Sequence, residues 1–214
     1  WRFFYYFAIF WYGLYILHNK PWFKDTKECW YGFPKQHLDT EVWTYYMVEF
    51  GFYVSLIFSL CTDVRRKDFR QMMLHHFVTM TLMFMSWCNN MVRVGSLTLC
   101  LHDIVDWWLE GAKLANYIRC TKLCDALFIV FALLWFVTRL VIFPLWILNT
   151  TFFESRSILG EFGACYAFNL LLFSLLALHF IWFYTILKML SKYVMKGKVK
   201  KDSRSDSESE TDSD

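Results

Sequence analysis

The chain has 214 residues, of which 57% are hydrophobic, 21% aromatic and 19% charged, with a formal net charge of +3. Its 23 Phe and 11 Trp are more apolar surface than one water-soluble core of this size buries, which excludes an ordinary soluble domain. The net charge carries no message, because basic and acidic residues are segregated along the chain.

The chain opens on Trp1 without an initiator Met and reads as a piece of a longer protein, so the lack of a targeting signal has no meaning. A helical membrane span needs about 20 mostly apolar residues. Residues 3–17 are uncharged and aromatic-rich, and residues 42–62 carry only Glu49. Residues 71–92 have no formal charge but hold His75 and His76. Residues 94–109 are apolar except for His102, Asp103 and Asp106. Residues 126–153 contain one charge, Arg139, and residues 162–187 contain none. These segments are apolar all round and lack the polar face that a soluble helix shows at period 3.6. The expected fold is all-α: a polytopic integral membrane bundle of six transmembrane helices over residues 1–197.

Basic residues orient it. Arg65, Arg66, Lys67 and Arg70 lie between the second and third segments, and Lys113, Arg119 and Lys122 between the fourth and fifth. Lys188, Lys192, Lys196, Lys198, Lys200 and Lys201 follow the sixth. The positive-inside rule makes this side cytosolic and puts both ends of the chain there. Lys20, Lys24, Lys27 and Lys35 dissent from the opposite side, but Asp25, Glu28, Asp39 and Glu41 balance them. Asn149-Thr150-Thr151 is a glycosylation sequon on the lumenal side. The seven cysteines form no CxxC pair and read as apolar packing, with Cys29 and Cys165 able to meet on the lumenal side. Residues 198–214 read as an acidic, serine-rich, disordered cytosolic tail. In it Ser203, Ser205, Ser207, Ser209 and Thr211 each have an acidic residue three positions on, the pattern of an acid-directed kinase.

Ionisable groups inside spans cost several kcal/mol by insertion scales, so they usually serve a site. His75 and His76 lie five and six residues past Arg70, roughly 8 Å deep at the helical rise. Asp106 and Asp103 lie seven and ten residues from Lys113 on the next span, which runs the other way, so roughly 10 to 15 Å deep. Both sets sit at similar depth, and one site facing the cytosolic half is expected. His102, Asp103, Asp106 and Glu110 crowd one side of a helix, with Lys113 placed to neutralise Glu110. A buried network that only fixes helix register is the plainer alternative. A histidine beside a carboxylate suits general-base work, and a neutral imidazole also attacks an acyl thioester. A zinc tetrahedron from His75, His76, His102 and Asp106 is the rival. His18 and His37 fall outside the spans, and His179 reads as a satisfied core histidine. Asn90 and Arg93 read as structural groups of the turn between the third and fourth spans, and Arg139 is expected to pair with Glu49.

The double histidine followed by SWCNNMVRVGSLTLCLHDIVDWWLEGAKLANY resembles the signature of the ceramide synthases, within the TLC-domain membrane proteins. RRKDF before it, RLVIFPLWIL after it and DSRSDSES in the tail are also similar to that family, and the likeness covers residues 1–208. The resemblance implies N-acylation of a sphingoid long-chain base by fatty acyl-CoA. His75, His76, Asp103 and Asp106 would be the catalytic set, and His102, Glu110 and Lys113 support it. Acyl-CoA would be a co-substrate, with no bound cofactor or metal. The implied location is the endoplasmic reticulum membrane, and the implied assembly a homo- or hetero-dimer of family members. Many animal members carry an earlier span and a homeobox-like region upstream; this piece itself has no nucleic acid to bind. The loop NTTFFESRSILGEFG is implied to influence acyl-chain length. Arg65, Arg66, Lys67 and Lys122 would ring the mouth and hold CoA phosphates, or serve only as positive-inside residues. The acyl tail would lie inside the bundle. Two rivals stand beside this reading: an intramembrane zinc-dependent lipid amide hydrolase, and a non-catalytic TLC lipid sensor or transporter.

Overall fold

A computed structural model describes residues 1–62 and 68–196, and it is helical with no strand among the described residues. α1 spans Arg2–Leu17, and the short α2 (Pro21–Lys24) opens on a proline, whose missing N–H costs nothing in a first turn. A single 3-10 turn, Thr26–Cys29, precedes α3 (Thr40–Thr62). α4 (Phe69–Cys88) and α5 (Val92–Tyr117) form an antiparallel pair around a tight turn at Asn90, whose φ of 56° is a left-handed value that asparagine tolerates. α6 (Thr121–Trp135) continues as widened π-type turns through Phe136–Leu148 and Thr150–Glu154 into α7 (Ser155–Leu159). Pro144 sits inside the widened stretch, where its missing N–H would break an ordinary α-helical ladder. Gly160 ends α7 at φ +75°, and α8 (Gly163–Lys196) completes the bundle.

The six apolar segments of the sequence correspond to α1, α3, α4, α5, the α6–α7 composite and α8. Among the described residues three helices are long and apolar enough to cross a membrane: Thr40–Thr62, Thr121–Leu159 and Gly163–Lys192. α1 is 16 residues, short for a span, and α4 and α5 dilute their apolar runs with His75, His76, His102, Asp103 and Asp106. Large apolar side chains such as Phe58, Phe77, Leu133, Leu145, Phe153 and Tyr184 stand exposed around the bundle. That surface would aggregate in water and suits a lipid surround.

Inside, one apolar cluster joins α1, α3, α4, α5 and the start of α8, with Tyr45, Tyr46, Val94 and Leu172 among its members. A second, between α5, α6 and α8, holds Val105, Phe131, Trp135 and Trp182. At one end the loop before α3 is pinned to the α4–α5 turn. The Asn90 amide donates to the carbonyls of Pro34 and Gln36, and Arg93 donates to that of Glu28 while lying over the Trp22 ring. Lys20 donates to Asp39 at 2.6 Å, and that hydrogen bond holds the Asp39 carboxyl below the usual carboxylate range. Asn149 lies within the composite helix, and the Thr151 of its sequon is buried, donating to Asn169 Oδ1 at 2.8 Å. Cys29 and Cys165 are both free and buried. Arg65, Arg66, Lys67, Ser203, Ser205, Ser207, Ser209, Thr211 and the tail at 198–214 lie outside the described residues.

Candidate active site

A cavity of about 220 Å³ opens at the end of the bundle where α1 and α4 begin and α3 ends. Arg2, Asp68 and Lys113 stand towards its mouth, and His102, Arg139 and His179 line its deep end. His75 and His76 are on its wall, with ring centroids 5.4 Å apart. His75 is held edge-on against Trp182 at 5.2 Å, and His76 lies against Tyr53. The Nδ1 of each is buried without a hydrogen-bond partner.

The acidic stripe of α5 divides. Asp106 and Glu110 face the cavity, and Glu110 is paired with Lys113 at 2.6 Å, as expected. Asp103 is not on the cavity wall. It is fully buried behind the wall, where Tyr45 Oη donates to its Oδ2 at 2.9 Å and Glu49 is its neighbour. Residues three apart on a helix differ by about 60° in direction, enough to meet different neighbours.

Arg139 corrects one expectation. Its guanidinium does not pair with Glu49; it lies 3.8 Å from Asp106 Oδ1, donates to the His102 carbonyl at 2.8 Å and rests over Trp135. Glu49, fully buried on α3, has neither oxygen hydrogen-bonded. His179, expected to be a satisfied core histidine, is buried but is satisfied at only one nitrogen and lines the cavity. Its Nε2 is 3.3 Å from His102 Nε2. The Thr98 carbonyl, 2.6 Å from His102 Nδ1, can only accept. His102 Nδ1 therefore carries the hydrogen, its Nε2 accepts from His179 Nε2–H, and His179 Nδ1 is left as a buried, unpartnered acceptor. Lys122 is exposed at the start of α6 and does not line the cavity, whereas Arg2, which the charge pattern did not single out, does.

Among the described residues no three His, Cys, Asp or Glu side chains are disposed to hold a metal ion, so the tetrahedron of His75, His76, His102 and Asp106 is not assembled. The arrangement offers two imidazoles on the cavity wall and a buried guanidinium, Arg139, beside the part-exposed carboxylate of Asp106. Those parts suit nucleophilic or general-base chemistry on a carbonyl whose developing negative charge meets a cation.

The family model of the TLC domain matches residues 1–188. The chain is 50% identical over 212 residues to ceramide synthase 5 of Homo sapiens, covering 99% of this chain and 54% of that one. It is 45% identical to ceramide synthase 4 of Homo sapiens, covering 100% of this chain and 54% of the relative. It is 38% identical to a ceramide synthase of Caenorhabditis elegans, over 97% of this chain and 59% of the relative. The chain thus spans about half the length of the curated relatives it matches. With nearly all of its helical bundle inside the matched region, the chain belongs to the TLC-domain family.

Proposed function

We propose that the chain is the membrane core of a ceramide synthase, which moves a fatty acyl group from acyl-CoA to the amine of a sphingoid long-chain base and releases CoA. The observation that carries this is the cavity gathering His75, His76 and Asp106 around Arg139, in a chain half identical to a named ceramide synthase over almost its whole length.

In this reading α1, α4 and α5 cross the membrane beside the three long apolar helices. Six spans put both ends of the chain in the cytosol, in the endoplasmic reticulum membrane. The polar residues that weaken α4 and α5 as spans are accommodated because they face the cavity or each other rather than lipid. Acyl-CoA is cytosolic and its nucleotide cannot enter lipid, so a shallow site opening to that side suits it. Arg2 and Lys113 near the mouth meet the CoA phosphates, and the sequence adds Arg65, Arg66 and Lys67 in the segment just before α4. The tail serines are kinase sites, and the protein pairs with itself or a family member.

The chemistry follows from the neutral imidazoles. The lone pair of His75 or His76 attacks the thioester carbonyl, and the oxyanion forms towards Arg139. The C–S bond breaks, and the imidazole N–H proton passes to the departing thiolate, giving CoA and an acyl-imidazole. The amine of the base then attacks the acyl carbon, its proton returns to the imidazole, and the amide leaves. Asp106 steadies Arg139, and Asp103 acts from behind as a positioning residue.

The test is expression in cells that lack their own ceramide synthesis, with N-acyl products read by mass spectrometry. Appearance of (dihydro)ceramide supports the reading, and its absence from a well-folded protein overturns it. Incubation with acyl-CoA alone then separates the routes: no mass gain on His75 or His76 removes the covalent one and leaves direct transfer.

A further inference from the structure

A narrow slot leaves the deep part of the cavity between α3, α4, α5 and α8, sharing Tyr53 and His102 with it as wall residues. From that level every helix runs to the same far end. The lining passes from Tyr53 to Tyr46 on α3, Thr79 to Ser86 on α4, His102 to Gly95 on α5 and Leu175 to Phe168 on α8. Each step is seven residues, so the slot is roughly 10 Å long at the helical rise. Its volume is about 30 Å³ beside the 220 Å³ of the site cavity, which excludes a headgroup or a nucleotide. Between its ends the walls are hydrocarbon except for Thr98, whose hydroxyl donates to the Val94 carbonyl at 2.8 Å.

The far end is closed differently from the sides. The sides hold leucines and Met83, which adapt to a guest. At the end, α4 and α5 approach so closely that a Cβ on Gly95 would lie 2.5 Å from Ser86 Oγ and 3.0 Å from Tyr46 Cε2. The Tyr46 ring is fixed, because its hydroxyl donates to the Met83 carbonyl at 3.0 Å and its face stacks on Trp87. A chain advancing from the site therefore meets side chains that yield, then a backbone and a pinned ring that do not.

We propose that Tyr46, Ser86 and Gly95 form the stop on which the end of the fatty acyl chain rests, so that these residues set the longest chain accepted. The inference rests on the acyl-transfer reading above. It adds a determinant inside the bundle to the one that the resemblance implies for residues 149–163.

The experiment supplies the protein with a sphingoid base and a competing mixture of saturated acyl-CoAs of graded length, and reads the ratio of N-acyl products. One methylene more or less in an apolar pocket is worth roughly tenfold in selectivity. Gly95→Ala pushes a methyl into the junction and is expected to shift the ratio of adjacent even chain lengths towards the shorter by roughly tenfold or more. Ser86→Ala removes the hydroxyl from the end wall and is expected to shift the ratio towards the longer. Ser86→Ala leaves the helix contact intact, so it decides the matter even where Gly95→Ala fails to accumulate. Normal total product with an unchanged ratio in Ser86→Ala overturns the stop and leaves acyl transfer standing. No product from the unaltered protein overturns both.

Discussion

Arg139, on the widened stretch of the long composite helix, reaches Asp106 on α5 at 3.8 Å at the floor of the cavity. Both belong to the apolar middle of the bundle, where a guanidinium without a counter-charge is costly. Removing one partner of such a pair costs about 3–5 kcal/mol, because the other charge stays buried alone. Asp106→Asn is expected to lower the thermal unfolding midpoint in detergent and to lose amide formation. The double variant Asp106→Asn, Arg139→Gln should regain much of the midpoint while remaining inactive. Full activity in the double variant would show that the pair only holds the helices together.

Asp103 is expected to behave differently, because it touches Tyr45 and Glu49 rather than the cavity. Tyr45→Phe removes the one hydrogen bond to Asp103 Oδ2 and should destabilise by about 1–3 kcal/mol, the cost of an unsatisfied buried acceptor. Folded Tyr45→Phe protein should keep most of its turnover. Its pH–rate profile should match that of the unaltered protein, since no group lining the cavity changes. A displaced profile would put Asp103 in the reaction itself. Glu49→Gln replaces one of two adjoining buried carboxyls with a neutral group of the same shape, and should be tolerated within about 1 kcal/mol on chemical denaturation.

The two wall histidines separate in an acyl-loading experiment. His75→Ala and His76→Ala should each cut amide formation by about a hundredfold or more, the usual size of a general-base or nucleophilic contribution. On the covalent route one of them alone also abolishes acyl-enzyme formation from acyl-CoA, while the other still loads and fails to discharge. Loading that survives in both variants would remove the covalent route.

The helices were legible because apolar runs bounded by basic clusters leave few alternatives, and depth led to one site for His75, His76, Asp103 and Asp106, of which the cavity takes in all but Asp103. What depth and period do not encode is azimuth. Asp103 and Asp106 share a helix side in the sequence pattern, yet the rotation between them sends one to Tyr45 and the other to the cavity. Arg139 and His179 come from helices 37 and 77 residues away from His102, their partner. A lone arginine or histidine in an apolar run does not say which neighbour it meets. Pro144, inside the same helix as Arg139, was the available signal that this segment departs from regular α-helix.

The opposite end of the bundle makes a different prediction. Arg93 donates to the Glu28 carbonyl at 2.8 Å and stacks over Trp22 at 4.7 Å, so one side chain ties the loop before α3 to the first turn of α5. A hydrogen bond from a charged donor and a cation–π contact of this kind contribute about 1–3 kcal/mol together. Arg93→Ala should therefore release the loop without touching the cavity. Limited proteolysis should cut residues 25–36 faster, while turnover by the intact fraction stays near that of the unaltered protein. Arg93→Lys keeps the charge but not the planar stack, and should protect the loop only partly. Equal protection in Arg93→Lys would assign the anchoring to charge alone, and unchanged proteolysis in Arg93→Ala would move it to Asn90, whose amide holds Pro34 and Gln36 from the adjoining turn.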